Sequence, residues 1–154
     1  MLSKIKSIVL LFLLIWQITC FANESDKSSE STLVPVVNER VKQNAISKHG
    51  LSAIFKMRLH TWKDDSAITV FVLADQDPLH KAFCKEVLNV FPHQMRRTWD
   101  RLVFSGAGQA PIELDNKEEM IRMLTATPGA IGYLRSSDIK QGIKALRIQS
   151  GRNQ

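Results

Sequence analysis

Residues 67–74 are the feature of this 154-residue chain that most constrains its fold, because seven of these eight residues are apolar. A run this apolar and rich in β-branched residues predicts a strand that is covered on both faces, in the middle of a sheet. Asp77 and Pro78 follow and predict a helix start, since a carboxylate accepts hydrogen bonds from free amides and proline suits the first turn. A strand leading directly into a helix favours an α/β fold.

Strands alternate with helices along the rest of the chain. Apolar runs predict further strands over residues 32–37, 130–134 and 145–148. Helix starts are predicted at Ser47, Asp77, Pro92 and Asn116, the last because Glu119 follows it at capping-box spacing. The residues expected on one face of each helix are, in chain order, Leu51, Ile54 and Phe55; Leu79, Phe83 and Val87; Met95, Thr98, Trp99 and Leu102; and Met120, Ile121, Met123 and Leu124.

The first 22 residues have the pattern of a secretory signal peptide. Lys4 and Lys6 precede an apolar run over residues 8–15, and Ala22 supplies the small residue expected before a cleavage site. The run is shorter than the ~20 residues that a membrane-spanning helix needs, so we expect cleavage after Ala22 and export to the periplasm. An uncleaved anchor and lipidation at Cys20 are alternatives that the sequence leaves open.

The remaining 132 residues suit one compact domain. Residues 23–31 are small and polar and are expected to form a flexible leader. Residues 32–149 would form the domain, and residues 150–154 a tail.

Cleavage would also change the charge and the cysteine content. Loss of Lys4 and Lys6 lowers the formal net charge from +6 to +4, a modest basic balance that does not indicate nucleic-acid binding. Cys84 would be the one cysteine left, so no intramolecular disulfide could form. We expect Cys84 to act as a small buried apolar group.

A set of aromatic and glycine-containing positions resembles a known family. These positions are Ile54-Phe55, Trp62, Phe83, Trp99, Phe104-Ser105-Gly106 and the sequence Pro-Gly-Ala-Ile-Gly-Tyr over residues 128–133. Over roughly residues 33–148 the chain resembles the second half of a phosphate-type periplasmic solute-binding protein, the kind that feeds ABC transporters. The resemblance implies an α/β, periplasmic-binding-protein-like sheet flanked by helices, truncated relative to a full two-lobed receptor. It also implies a non-enzymatic protein without a cofactor.

The resemblance further implies a small anion such as phosphate as ligand and an ABC permease or other envelope protein as partner. In that family an arginine is followed four residues later by Ser-Gly-Thr at a helix start, where amides, hydroxyls and the guanidinium hold the anion. Here Leu73 stands at the arginine position and Asp77, Pro78 and Leu79 replace Ser-Gly-Thr. We therefore expect the usual anion-binding residues to be lost, with Asp77 acting as a helix cap or, alternatively, as a cation ligand.

Five further residues are candidates for ligand binding beside Asp77. Ser105, Gly106 and Gly108 lie in a glycine-rich turn whose amides could form an anion-binding nest. The alternative is that these residues only form a tight turn and bind no ligand. Tyr133 is expected to carry a polar tip to the edge of the cleft. His80 lies one helical turn after Asp77, which suggests an ion pair between the two.

The histidines do not indicate a metal site. His49, His60, His80 and His93 form no His-x-x-x-His pair. No Gly-x-Ser-x-Gly sequence occurs either, and nothing in the chain calls for an enzyme.

Two functions follow from these observations. The first is a secreted binding protein that takes a small solute or serves a transporter or sensor. The second is an interaction module without a ligand that docks onto a transporter, sensor or other envelope partner. The second predicts an exposed apolar patch on the domain.

Overall fold

The computed structural model describes residues 31–149. The predicted signal peptide, most of the predicted leader and the predicted tail lie outside these residues. The strands are β1 (Leu33–Asn38), β2 (Ala45–Ser47), β3 (Thr69–Leu73), β4 (Ile112–Leu114), β5 (Ala130–Arg135), β6 (Ile143–Ala145) and β7 (Arg147–Gln149). The α-helices are α1 (Lys48–Phe55), α2 (Pro78–Ala82), α3 (Pro92–Phe104) and α4 (Lys117–Ala126).

A five-stranded mixed sheet forms the centre of the fold, in the order β4-β3-β5-β1-β6. The neighbours β4, β3 and β5 run parallel, and β1 pairs antiparallel with both β5 and β6. This arrangement confirms the α/β fold predicted from the sequence. The prediction that residues 67–74 form the middle strand is wrong, because β5 lies at the centre and β3 beside it.

Short strands account for the other differences from the sequence prediction. β2 and β4 have three residues each and were not predicted. Residues 145–148, predicted as one strand, are divided between β6 and β7, which belong to different sheets. β7 pairs in parallel with β2 to form a separate two-stranded sheet. Runs this short carry no periodicity that separates a strand from a loop.

The helix starts lie where the sequence places them. The Ser47 hydroxyl oxygen accepts a hydrogen bond from the amide of Gly50 at the start of α1. The Asn116 side chain accepts from the amide of Glu119 at the start of α4, and Pro92 is the first residue of α3. The side chains of Ser47 and Asn116 satisfy amide groups that a helix leaves free, whereas Pro92 has no N–H group to satisfy.

The core lies on both sides of the sheet and contains most of the predicted helix faces. Leu51, Ile54 and Phe55 are buried as predicted. Buried residues also include Phe83, Val87, Met95, Trp99, Met120 and Leu124. Leu79 is only half-buried, since it packs against the core but also lines a cavity, and His80 beside it is fully buried.

Cys84 is buried in the π-helical turn Phe83–Leu88, which continues α2. Burial raises the pKa of its thiol to about 12, so the group stays protonated at neutral pH. The expectation of a buried apolar cysteine is confirmed.

The Pro-Gly-Ala-Ile-Gly-Tyr segment packs closely against its neighbours. Gly129 has φ +78°, and a Cβ there would overlap the carbonyl oxygen of Ala67. A Cβ on Gly132 would lie 3.0 Å from the sulfur of Met120. The Nε1–H group of Trp62 donates to the carbonyl of Gly129 at 2.9 Å. The absence of a side chain at both glycines therefore allows this close packing.

Within residues 31–149, none of the helices is both long enough and apolar enough to cross a membrane.

Candidate functional site

A cavity of about 270 Å³ lies at the carboxyl ends of the three parallel strands. Strands β3, β4 and β5 end at the same edge of the sheet because they run in the same direction. The cavity is lined by Leu73, Asp77, Pro78, Leu79, Lys117, Arg135 and Asp138. It therefore includes all four positions where the sequence departs from the phosphate-binding pattern.

The start of α2 is occupied by a side chain of the protein. Oδ1 of Asp77 accepts hydrogen bonds from the amides of Leu79 at 2.7 Å and His80 at 3.2 Å. Pro78 has no N–H group. The expected capping role of Asp77 is observed, and the amide groups that an anion would use already have an acceptor.

Two basic side chains that the sequence analysis missed also line the cavity. Lys117 is the first residue of α4 and forms an ion pair with Asp138 at 3.1 Å. Arg135 ends β5, and its guanidinium donates to the carbonyl of Ser31 at 3.1 Å. The position of Arg135 was open to prediction, since it directly follows the predicted strand 130–134. The place of Lys117 in the cavity was not open to prediction, because it depends on the position of β4, a strand too short to recognise in the sequence.

His80 is buried behind the cavity, with 1% of its surface exposed. Its Nδ1 lies 2.6 Å from the hydroxyl of Tyr133, and that hydroxyl accepts from the amide of Leu73 at 2.7 Å. The carboxylate of Asp75 lies 3.9 Å from Nε2 of His80, which favours the tautomer with its proton on Nε2. In that tautomer the Tyr133 hydroxyl donates to Nδ1. Burial holds the pKa of His80 below its ordinary value.

The predicted ion pair between His80 and Asp77 is wrong. The carboxylate near the ring belongs to Asp75, whose Oδ1 lies 3.9 Å from Nε2 of His80. Asp77 uses its carboxylate at the helix start instead. Its capping geometry turns the group toward the amides, whereas His80 points into the core.

Tyr133 does not lie at the edge of the cleft. Its side chain is fully buried and stacks on Phe83, with ring centroids 4.2 Å apart and an angle of 14° between the planes. Burial raises the pKa of the Tyr133 hydroxyl. The hydroxyl forms its hydrogen bonds inside the core, where it joins β5 to β3 and α2.

Arg96 connects α3 to the same edge of the sheet. Its Nε and Nη2 atoms donate to the carboxylate of Asp75, and Nη2 also contacts Glu113 on β4 at 2.6 Å. The guanidinium lies 5.2 Å from the ring centroid of Trp99. The hydrogen bond with Asp75 contributes most to raising the pKa of Arg96. Arg96 thus stays charged and holds three elements together.

The glycine-rich turn lies away from this cavity. Helix α3 runs back from the carboxyl edge of the sheet, so Ser105, Gly106 and Gly108 come just before β4 begins, at the opposite edge. The hydroxyl of Ser105 donates to the carbonyl of Leu102, and Gly106 adopts φ +67°. The structure therefore brings together Asp77, His80 and Tyr133. Ser105, Gly106 and Gly108 lie elsewhere.

The described part of the chain contains no group of three or more histidine, cysteine, aspartate or glutamate residues arranged to hold a metal ion.

Comparison with solved structures identifies the fold. An ABC-type phosphate transport receptor from Vibrio cholerae matches with a TM-score of 0.57 and 17% identity, over 75% of this chain and 45% of that structure. PstS from Borrelia burgdorferi matches with a TM-score of 0.58 and 18% identity, over 79% of this chain and 49% of that structure. The chain has the fold of phosphate-type substrate-binding proteins.

This result confirms the fold that the sequence resemblance implied. The chain spans less than half the length of either structure. At these identities the likeness concerns the fold. No protein-family model and no curated protein matches the chain.

Proposed function

We propose that residues 31–149 form a solute-binding lobe of the phosphate-receptor type in which the start of α2 no longer binds phosphate. The capping contact of Asp77 carries this proposal, since its carboxylate accepts from the amides of Leu79 and His80. The proposal includes secretion to the periplasm, a non-enzymatic role and contact with an ABC permease or other envelope protein. The fold shared with phosphate transport receptors supports it.

The chemistry of the helix start explains why phosphate would be rejected. Asp77 adds a negative charge where the anion would lie, and Leu73 supplies no guanidinium. A hydrogen bond to a charged group is worth about 1.5–3 kcal/mol. Loss of several such bonds, together with repulsion from Asp77, should lower phosphate affinity by orders of magnitude.

Calorimetric titration with phosphate at low salt tests this proposal. We expect no saturable binding to protein purified after expression of the full chain, with folding verified by circular dichroism. Micromolar phosphate binding that Arg135→Gln weakens would place phosphate in the cavity and overturn the proposal. Arg97→Gln is a suitable control because Arg97 is exposed and does not line the cavity.

An interaction module is the second candidate, and the end of α3 favours it. Phe104 has 88% of its surface exposed, and the neighbouring Val103 has 48%. Contiguous exposed apolar surface marks contact sites on proteins, and these two adjacent side chains are the candidate for one here. A docking module is expected to expose such a surface.

Light scattering across a concentration series separates this candidate from the first. Self-association or partner binding that Phe104→Ser abolishes would support docking through this end of α3. Phe91→Ser is a matched control, since Phe91 is also exposed but precedes the other end of the helix. A protein that stays monomeric and binds a solute would count against the module.

A further inference from the structure

The cavity at the carboxyl edge of the sheet contains two charged groups of opposite sign that do not pair with each other. Asp77 uses Oδ1 at the helix start, and within residues 31–149 Oδ2 has no hydrogen bond. The guanidinium of Arg135 donates one hydrogen bond, to the carbonyl of Ser31, and forms no ion pair in the described region. Each group thus keeps unused hydrogen-bonding capacity in the same cavity.

The other two charges of the cavity neutralise one another. Lys117 and Asp138 form an ion pair at 3.1 Å with partly buried side chains. The lining as a whole carries two acidic and two basic residues. Its formal charge is zero, whereas a site for phosphate needs an excess of positive charge or of amide donors.

An acceptor and a planar cationic donor lining one cavity match a ligand that carries both charges. A guanidinium binds a carboxylate with two parallel hydrogen bonds, and a carboxylate oxygen accepts from an ammonium group. We propose that this cavity binds a small zwitterion of the α-amino-acid class, with its carboxylate on Arg135 and its ammonium group on Oδ2 of Asp77. This inference rests on the solute-binding function proposed above and assigns the ligand class for the same site.

Size and polarity restrict the ligand further. The cavity of about 270 Å³ is smaller than the roughly 300–1,000 Å³ of pockets that hold drug-sized molecules. Leu73, Pro78 and Leu79 provide an apolar wall beside the charged groups. A short apolar side chain fits this wall, so L-alanine is the first probe.

Heteronuclear NMR titration tests the assignment, using protein purified after expression of the full chain. The probes are L-alanine, N-acetyl-L-alanine, which keeps the carboxylate alone, and L-alaninamide, which keeps the ammonium group alone. We expect saturable shifts of Leu79 and Arg135 amide signals with L-alanine. Each single-charge analogue should bind about tenfold more weakly or worse, because one charged hydrogen-bonding partner is lost.

Two variants test which residue of the protein binds each charged group of the ligand. Asp77→Asn keeps a side-chain oxygen for the helix cap and should weaken L-alanine about tenfold while leaving N-acetyl-L-alanine unchanged. Arg135→Gln should weaken L-alanine by a similar factor and leave L-alaninamide unchanged. Arg97→Gln, outside the cavity, should change neither. Unfolding temperatures of all three variants verify that they fold.

The remaining outcomes separate this inference from the proposed function. Phosphate and glucose are titrated in parallel as an anionic and an uncharged probe. Saturable binding of glucose without L-alanine binding overturns the zwitterion assignment and leaves solute binding in place. L-alanine binding that neither Asp77→Asn nor Arg135→Gln weakens also overturns the assignment. No saturable binding of L-alanine to the folded protein overturns the zwitterion assignment, and no saturable binding of any probe also favours the interaction module over solute binding.

Discussion

The hydroxyl oxygen of Tyr133 and Nδ1 of His80 lie 2.6 Å apart inside the core, although the two residues are separated by 53 positions in the sequence. The same hydroxyl accepts from the amide of Leu73. Three elements, β5, α2 and β3, are thereby joined at one oxygen atom directly behind the candidate cavity. The hydrogen bonds supply each buried polar group with a partner, which removes the cost of burying it.

Removal of this oxygen should destabilise the fold. Tyr133→Phe keeps the ring stacked on Phe83 but leaves Nδ1 of His80 and the amide of Leu73 without a partner. An unsatisfied buried group costs about 1–3 kcal/mol, so we expect the free energy of unfolding to fall by about 2–6 kcal/mol for the two groups. Urea denaturation monitored by fluorescence measures the change.

Thr98→Val is the matched control for the loss of a hydroxyl. Thr98 donates to the carbonyl of Gln94 within helix α3, in contact with solvent. Its loss should change the free energy of unfolding by about 0.5 kcal/mol or less. Equal effects of Tyr133→Phe and Thr98→Val would contradict the role assigned to the buried hydroxyl.

Protonation of His80 should make the protein less stable in mild acid. Burial is the main cause that lowers the pKa of His80 from 6.5, and Arg96 acts in the same direction while Asp75, Asp77 and Glu113 oppose it. The unfolded chain therefore binds a proton more readily than the folded protein does. The stability from neutral His80 is complete above about pH 6.5 and is lost as the pH falls toward the lower folded-state pKa.

Urea denaturation at about pH 7 and about pH 5 measures this dependence. As the pH is lowered between these two values, we expect the free energy of unfolding to decrease less for His80→Gln than for the unmodified protein. His93→Gln is the control, because His93 is exposed. An unchanged pH dependence in His80→Gln would show that other groups cause it.

Gly129 and Gly106 should differ in their tolerance of a side chain, although both have positive φ. In Gly106→Ala the new Cβ meets nothing within 4 Å, so the cost is the left-handed backbone alone, about 1–2 kcal/mol. In Gly129→Ala the Cβ also overlaps the carbonyl of Ala67. The free energy of unfolding should therefore fall by more than about 3 kcal/mol. Thermal unfolding compares the two variants, and similar unfolding temperatures would contradict the packing described here.

The sequence predicted the long elements because their patterns are local. β3 and β5 are apolar runs, and Asp77 and Asn116 are helix caps whose partners lie two or three residues away. β2 and β4 were missed because three residues do not establish a period. Arg135 was open to prediction as the polar residue that ends a predicted strand.

The polar contacts of the core were not open to prediction. His80 lies in a helix beside Lys81 and resembles an exposed residue in sequence. Its burial depends on Tyr133, which arrives from a strand far along the chain. The same holds for Asp75 and Arg96, whose contact spans 21 positions. Such pairs follow from the order of strands in the sheet, which local pattern does not fix.

Replacement of Arg96 by lysine should destabilise the protein even though the charge is kept. The guanidinium of Arg96 bonds two carboxylates at once, those of Asp75 and Glu113, and lies over Trp99. A lysine ammonium is a point charge without this planar fork. About a third of each of the Arg96 and Asp75 side chains is exposed, so solvent screening reduces the stabilisation that their ion pair provides. We expect Arg96→Lys to lower the free energy of unfolding by about 1–2 kcal/mol.

Arg122→Lys provides the comparison for Arg96→Lys. Arg122 is more exposed and bonds one carboxylate, that of Glu119 on the same helix, so its replacement should cost about 0.5 kcal/mol or less. A double-mutant cycle of Arg96→Lys with Asp75→Asn, followed by urea denaturation, isolates the energy of the contact. Additive losses in that cycle would mean that Arg96 stabilises the edge of the sheet through Glu113 and Trp99 alone, because a fork shared with Asp75 requires the two substitutions to be coupled.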